Sequence, residues 1–125
     1  MNDDKSFSKV IINLIRLTRS NELKWEKKDP PPWLTDSGSK IETVYLTDYK
    51  ERKLRLYEEK YQQYDEMDRD WFWAKRAVLQ LIDTRNKTDW EFPWCRELRD
   101  LIEAVKYHSA NVSDFLDKFF DKNNK

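Results

Sequence analysis

The chain has 125 residues, 24 basic and 24 acidic, with hydrophobic residues at 38% and six each of Trp, Tyr and Phe. That length suits one domain with one core, and the aromatic content, at about 150–250 Å² of buried surface per ring, separates the chain from a disordered polymer. Balanced charge removes the electrostatic drive toward nucleic acid or anionic membrane. No apolar run approaches the ~20 residues of a membrane span, and the start, Met1 to Lys5, lacks the basic opening of a signal peptide.

Phe7, Val10, Ile11, Leu14 and Leu17 recur at helical spacing, with Ile15 widening the stripe. Ser6 reads as the N-cap, Asp3 and Asp4 suit the positive end of the dipole, and Asn21 suits a left-handed stop. Leu23 and Trp25 then alternate with charged neighbours, as in a short strand. Asp29 to Trp33 carries three consecutive prolines and is expected to be extended. It is read as a connector with Trp33 tucked over the core, in preference to a proline-rich ligand for an aromatic groove.

Residues 40–82 contain neither glycine nor proline. Read as strands, Val44 and Leu46 alternate with Thr43, Tyr45 and Thr47. Leu54 and Leu56 alternate with Lys53, Arg55 and Tyr57. After a polar turn at Asp65 to Asp68, Ala77, Leu79 and Leu81 share a face with Trp71 and Trp73. Read as a helix, Leu54, Tyr57, Tyr61, Tyr64, Trp71 and Val78 form a heptad-like stripe, which Asp68 and Lys75 interrupt. The strand reading is preferred. A turn at Thr84 to Thr88 and a short Trp90-Glu91-Phe92 segment follow. Pro93 suits the first position of a helix whose stripe is Trp94, Leu98, Leu101, Ile102 and Val105. Val112, Phe115, Leu116, Phe119 and Phe120 continue it, in the same helix or after a break near Ser109 to Asn111. Residues 122–125 read as a frayed polar tail to a domain spanning 1–121.

Three segments, Leu17-Thr18 with Leu23-Lys24-Trp25, Leu79 to Asp83 before Trp90-Glu91-Phe92-Pro93, and Leu98 to Val105, resemble a loosely defined group of short uncharacterised bacterial proteins. The resemblance implies a helix, antiparallel strands and a C-terminal helix. It implies no activity, substrate or cofactor.

The expected fold is therefore α+β: a helix, a three- or four-stranded antiparallel meander, and one long or two short helices on one sheet face. Phe7, Ile11, Leu14, Leu101, Val105, Leu116 and Phe119 should bury against Leu54, Leu56, Leu79 and Leu81. The Trp25, Trp71, Trp73, Trp90 and Trp94 set should fill the sheet–helix junctions.

Catalytic chemistry finds little to work with. One cysteine, Cys95, and one histidine, His108, cannot make the usual zinc sets. On a continuous helix they stand about 20 Å apart. Gly38 alone cannot build a phosphate-cradling loop. Asp65, Glu66, Asp68 and Asp70 lack the glycine and terminal glutamate of a calcium loop. The lone cysteine points to a reducing compartment, the cytoplasm. The expectation is a non-enzymatic module without metal or cofactor, binding a protein partner or its own copy. Its contact surface is the sheet face opposite the helices: Tyr45, Arg55, Tyr57, Phe72, Arg76 and Gln80. On that expectation Tyr57→Ala or Arg55→Glu weakens association and leaves the fold intact. Two alternatives are a single-stranded nucleic-acid platform on the same face and a small-ligand pocket around Trp25, Trp33 and Trp94.

Overall fold

The computed structural model describes residues 3–35 and 38–121; the expected tail at 122–125 falls outside them. Helix α1 runs from Asp3 to Arg19, so Ser6 lies inside the helix rather than capping it. At its other end the sequence signal holds. Asn21 is left-handed, at φ 65°. The Asn21 and Glu22 amides close back on the carbonyls of Thr18 (3.1 Å) and Leu17 (3.0 Å), the double closure that lets a helix stop without orphaned carbonyls.

Five strands follow: β1 (Glu26–Lys28), β2 (Val44–Tyr49), β3 (Arg52–Asp65), β4 (Asp70–Ile82) and β5 (Thr88–Glu91). They form an antiparallel meander in the order β1-β2-β3-β4-β5. Two of these are short edge strands, so the sheet has five members rather than three or four. The strand expected at Leu23 and Trp25 starts only at Glu26, because both side chains pack against the core instead. Trp25 Nε1 donates to Thr18 Oγ1 at 3.0 Å, and that hydroxyl donates to the Leu14 carbonyl at 2.7 Å. The proline run is not wholly extended either, since Pro32–Thr35 coils into a 3₁₀ turn.

Helices α2 (Glu97–Ser109) and α3 (Val112–Phe120) complete the chain. The break between them falls at Asn111, which takes φ 54°. Helix α2 begins at Glu97, not at Pro93, which leaves Trp94 outside the helical stripe.

Helices α1 and α2 cover one sheet face. Ile11, Leu14, Ile15, Leu98, Leu101, Ile102 and Val105 meet Tyr45, Leu54, Leu56, Ala77 and Leu79 in one cluster. Each aliphatic side chain buried there contributes about 1.5–3 kcal/mol. The expected facing is right for β3 and β4 and inverted for β2. Tyr45 points at the helices, while Val44 joins Ile41, Tyr57 and Val78 in a second cluster beneath the sheet, against Leu34. Helix α3 stands apart from this core. None of its residues is buried, and Phe115, Leu116, Phe119 and Phe120 are exposed, so Leu116 and Phe119 do not join the core as expected. No helix among the described residues is long and apolar enough to cross a membrane.

Candidate interaction surface

Strands β3 and β4 pair along their whole length, from Lys53↔Ile82 to Asp65↔Asp70. Their neighbours are shorter. Strand β2 pairs with β3 only as far as Val44↔Tyr57, with one isolated bridge at Lys40↔Lys60. Strand β5 pairs with β4 only from Gln80 onward, and the Phe92 amide adds one bond to the Leu79 carbonyl. The helix layer stops at the same level. On the helix-facing side the residues beyond Leu56 and Ala77 are Glu58, Lys60 and Lys75, and Lys106 of α2 bonds Glu58 at 3.3 Å. The far half of β3–β4 is thus a two-stranded ribbon projecting past the core. Among the described residues no strand lies along its β4 edge from Asp70 to Ala77.

Large apolar side chains crowd this ribbon. Trp71 is 61% exposed, Phe72 46%, Trp73 49% and Tyr64 45%. Alternation places Trp71 and Trp73 on one side and Phe72 on the other, so neither side can hide its rings. Tyr64 and Trp71, cross-strand partners, bring ring centroids to 5.3 Å, and Lys40 Nζ sits 4.6 Å from the Trp73 ring. A free two-stranded ribbon is at best marginally stable in water, and three adjacent exposed aromatics make a patch of the kind that marks contact sites. The turn beyond it, Glu66 to Arg69, is charged, with Arg69 at φ 53°. Asp65, Glu66, Asp68 and Asp70 make this end acidic, whereas Lys75 and Arg76 lie nearer the core.

The six residues expected to form an open face do not form one. Tyr45 is in the core on the helix side, and burial, the largest influence, raises its pKa. Arg55, Tyr57 and Gln80 do lie together on the opposite side, but they are buried at 1%, 4% and 4% exposure. Arg55 donates to Gln80 Oε1 (2.9 Å), the Asn86 carbonyl (2.8 Å) and Thr88 Oγ1 (2.7 Å). Trp33 roofs this cluster, its ring 5.0 Å from the guanidinium and 4.6 Å from Lys87 Nζ. Gln80 Nε2 donates to both Tyr57 Oη (3.2 Å) and Glu91 Oε1 (3.1 Å). Burial, reinforced by the Glu91 and Glu59 charges, pushes the Tyr57 phenol up to about 12. This is a satisfied internal network under a lid, not a docking face. Phe72 and Arg76 alone of the six lie on the ribbon, with Arg76 held by Glu59 at 3.1 Å.

The tryptophans do not converge on a pocket. Trp25 borders a shallow cleft with His108, Trp33 one with Arg55, and Trp94 one with Arg99. Trp94, at 62% exposure, fills no junction, and neither do Trp71 and Trp73; Trp90 rests on Phe7 with centroids 5.3 Å apart. Cys95 precedes α2 and His108 lies near its far end, so helix length keeps them apart. The Cys95 thiol is pushed up, first by burial and then by Glu97. No group of three or more metal-ligating side chains gathers among the described residues. Compared with known proteins, the chain matches no family model, no curated protein and no solved structure.

Proposed function

We propose that this protein is a non-enzymatic interaction module that engages a protein partner through the projecting β3–β4 ribbon. The supporting observation is the coincidence, on one stretch of β4, of a strand edge without a neighbour among the described residues and three consecutive exposed aromatics, Trp71, Phe72 and Trp73. An incoming strand would satisfy the outward amides and carbonyls while the rings supply contact area, the division of labour in strand addition. The acidic turn next to these rings opposes a phosphate backbone, which disfavours the stacking of single-stranded nucleic acid. In this reading the module works in the cytoplasm, where Cys95 stays reduced.

A photo-crosslinking phenylalanine analogue at position 72 tests it in living cells, against the same analogue at exposed Asp48, at the end of β2 away from the ribbon. Protein adducts from position 72 and few from position 48 are the expected result. Equal labelling from the two sites, or none from position 72, overturns the proposal. Trp71→Ser with Trp73→Ser should abolish the adducts with little change in melting temperature.

A further inference from the structure

We infer that the strand added to this edge is β4 of a second copy, running antiparallel about a two-fold axis at Trp73. This rests on the reading of the ribbon as a docking edge and names what docks there. The backbone sets the choice of register. The Phe92 amide bonds the Leu79 carbonyl on the β5 side, and alternation along a strand then turns the N–H and C=O of residues 71, 73, 75 and 77 toward the open edge. A two-fold antiparallel pair must centre on one residue facing its own copy. With Trp73 at the centre, Trp71 faces Lys75 of the second copy, Phe72 faces Ala74, and Asp70 faces Arg76.

Each of those pairings is chemically favourable. Asp70 against Arg76 joins opposite charges on one face, and occurs twice by symmetry. Trp71 against Lys75 sets a ring beside an ammonium group. The alternative centre at Ala74 sets Asp70 against Val78, and the one at Phe72 sets it against Ala74. The charge layout of the ribbon, acidic at its turn and basic toward the core, is the layout that antiparallel self-pairing makes complementary.

The surface beside the edge fits the same arrangement. A groove of about 380 Å³ runs along the helix-facing side of β4, lined by Lys75, Ala77, Trp94, Arg99 and Ile102 among others. In this register Trp71 of the second copy lies on that side, opposite Lys75, at the groove's mouth. The pairing would therefore cover Trp71 and Trp94 together, two of the most exposed rings of the chain. It forms about six backbone hydrogen bonds across the axis, two of them by exchanging the bond that the Trp71 amide donates to Asp70 Oδ1 at 2.8 Å.

Charge exchange tests the register. Sedimentation equilibrium should give a dimer for the unaltered chain and monomers for Asp70→Arg and for Arg76→Asp, each weakened at least about tenfold, or about 1.4 kcal/mol. An equimolar mixture of the two should dimerise again, because both contacts then join opposite charges. Arg76→Asp also loses the Glu59 pair, but that loss is internal and mixing cannot repair it. Trp73→Pro is the second probe: its amide points away from β3, so the hairpin tolerates proline there while pairing is blocked. A dimer that survives all three substitutions, or a mixture that stays monomeric, overturns the register. A monomeric unaltered chain overturns the second copy as occupant, and adducts from position 72 to a different protein would then leave the docking edge standing.

Discussion

Arg55→Met should cost this fold about 3 kcal/mol although the substitution keeps much of the side chain's volume. Arg55 is 1% exposed and the three acceptors of its guanidinium are uncharged oxygens. Hydrogen bonds from a charged donor contribute roughly 1.5–3 kcal/mol each. Removing the charge recovers part of that, because burial itself disfavours the guanidinium and lowers its pKa. What methionine cannot recover is the satisfaction of the Asn86 carbonyl, which holds the β4–β5 turn. For a chain of this length, about 3 kcal/mol corresponds to a fall in melting temperature of roughly 10 °C. Urea unfolding followed by tryptophan fluorescence measures it. Arg55→Lys, with a point charge in place of a planar fork, should fall about midway. Arg55→Glu should fail to fold, the reverse of what an exposed Arg55 would imply. A midpoint for Arg55→Met within about 0.5 kcal/mol of the unaltered chain would refute the claim that this cluster supports the sheet.

Two further outcomes follow from neighbouring features. Tyr57 keeps its proton to about 12 in the folded state against about 10 unfolded. Its contribution is therefore complete below pH 10 and lost between roughly pH 10 and 12, about 2–3 kcal/mol in all. Tyr57→Phe should flatten the fall in stability over that window, as read from urea midpoints at a series of alkaline pH values; an unchanged slope would count against the buried phenol. Ending the chain after Asn111 removes α3, no residue of which is buried. Calorimetry should show a shift of under about 4 °C, and a loss of cooperative unfolding would mean that α3 supports the core after all.

The parts legible in the sequence are those where the two faces of an element differ in polarity. Leu54 and Leu56 against Lys53 and Arg55, or Leu79 and Leu81 against Gln80, name their core side without ambiguity. Strand β2 carries no such contrast. Val44 and Tyr45 are both buried, and so is Thr47, so alternation could not say which set meets the helices. Trp33 was expected to tuck over the core, and it does cover a buried cluster, but over Arg55 on the far sheet face; the path of a proline-rich loop has no periodicity to name that side. Helix α3 shows that an amphipathic stripe records the capacity to be buried, not the presence of a cover. The ribbon did leave a signal. Aliphatic alternation ends at Leu56 and resumes only at Ala77, and the three adjacent aromatics at 71 to 73 defy any one-sided burial. Together they mark where the sheet outruns its helices.

Glycine is nearly absent from this chain, so two of its hairpin reversals are made by residues that resist them. Lys50 and Glu51 both take positive φ between β2 and β3, as does Arg69 beyond the ribbon, whereas the turn before β5 uses the more tolerant Asn86. Such conformations cost a side-chain-bearing residue roughly 1 kcal/mol or more. The bends therefore do not steer the strands; the strands, through the unbroken register from Lys53↔Ile82 to Asp65↔Asp70, impose the bends. A hairpin organised in that way depends little on the length of its connection. The turn at Glu66 to Arg69 is accordingly where the chain would accept a grafted peptide, with the legs held in register where the core grips them.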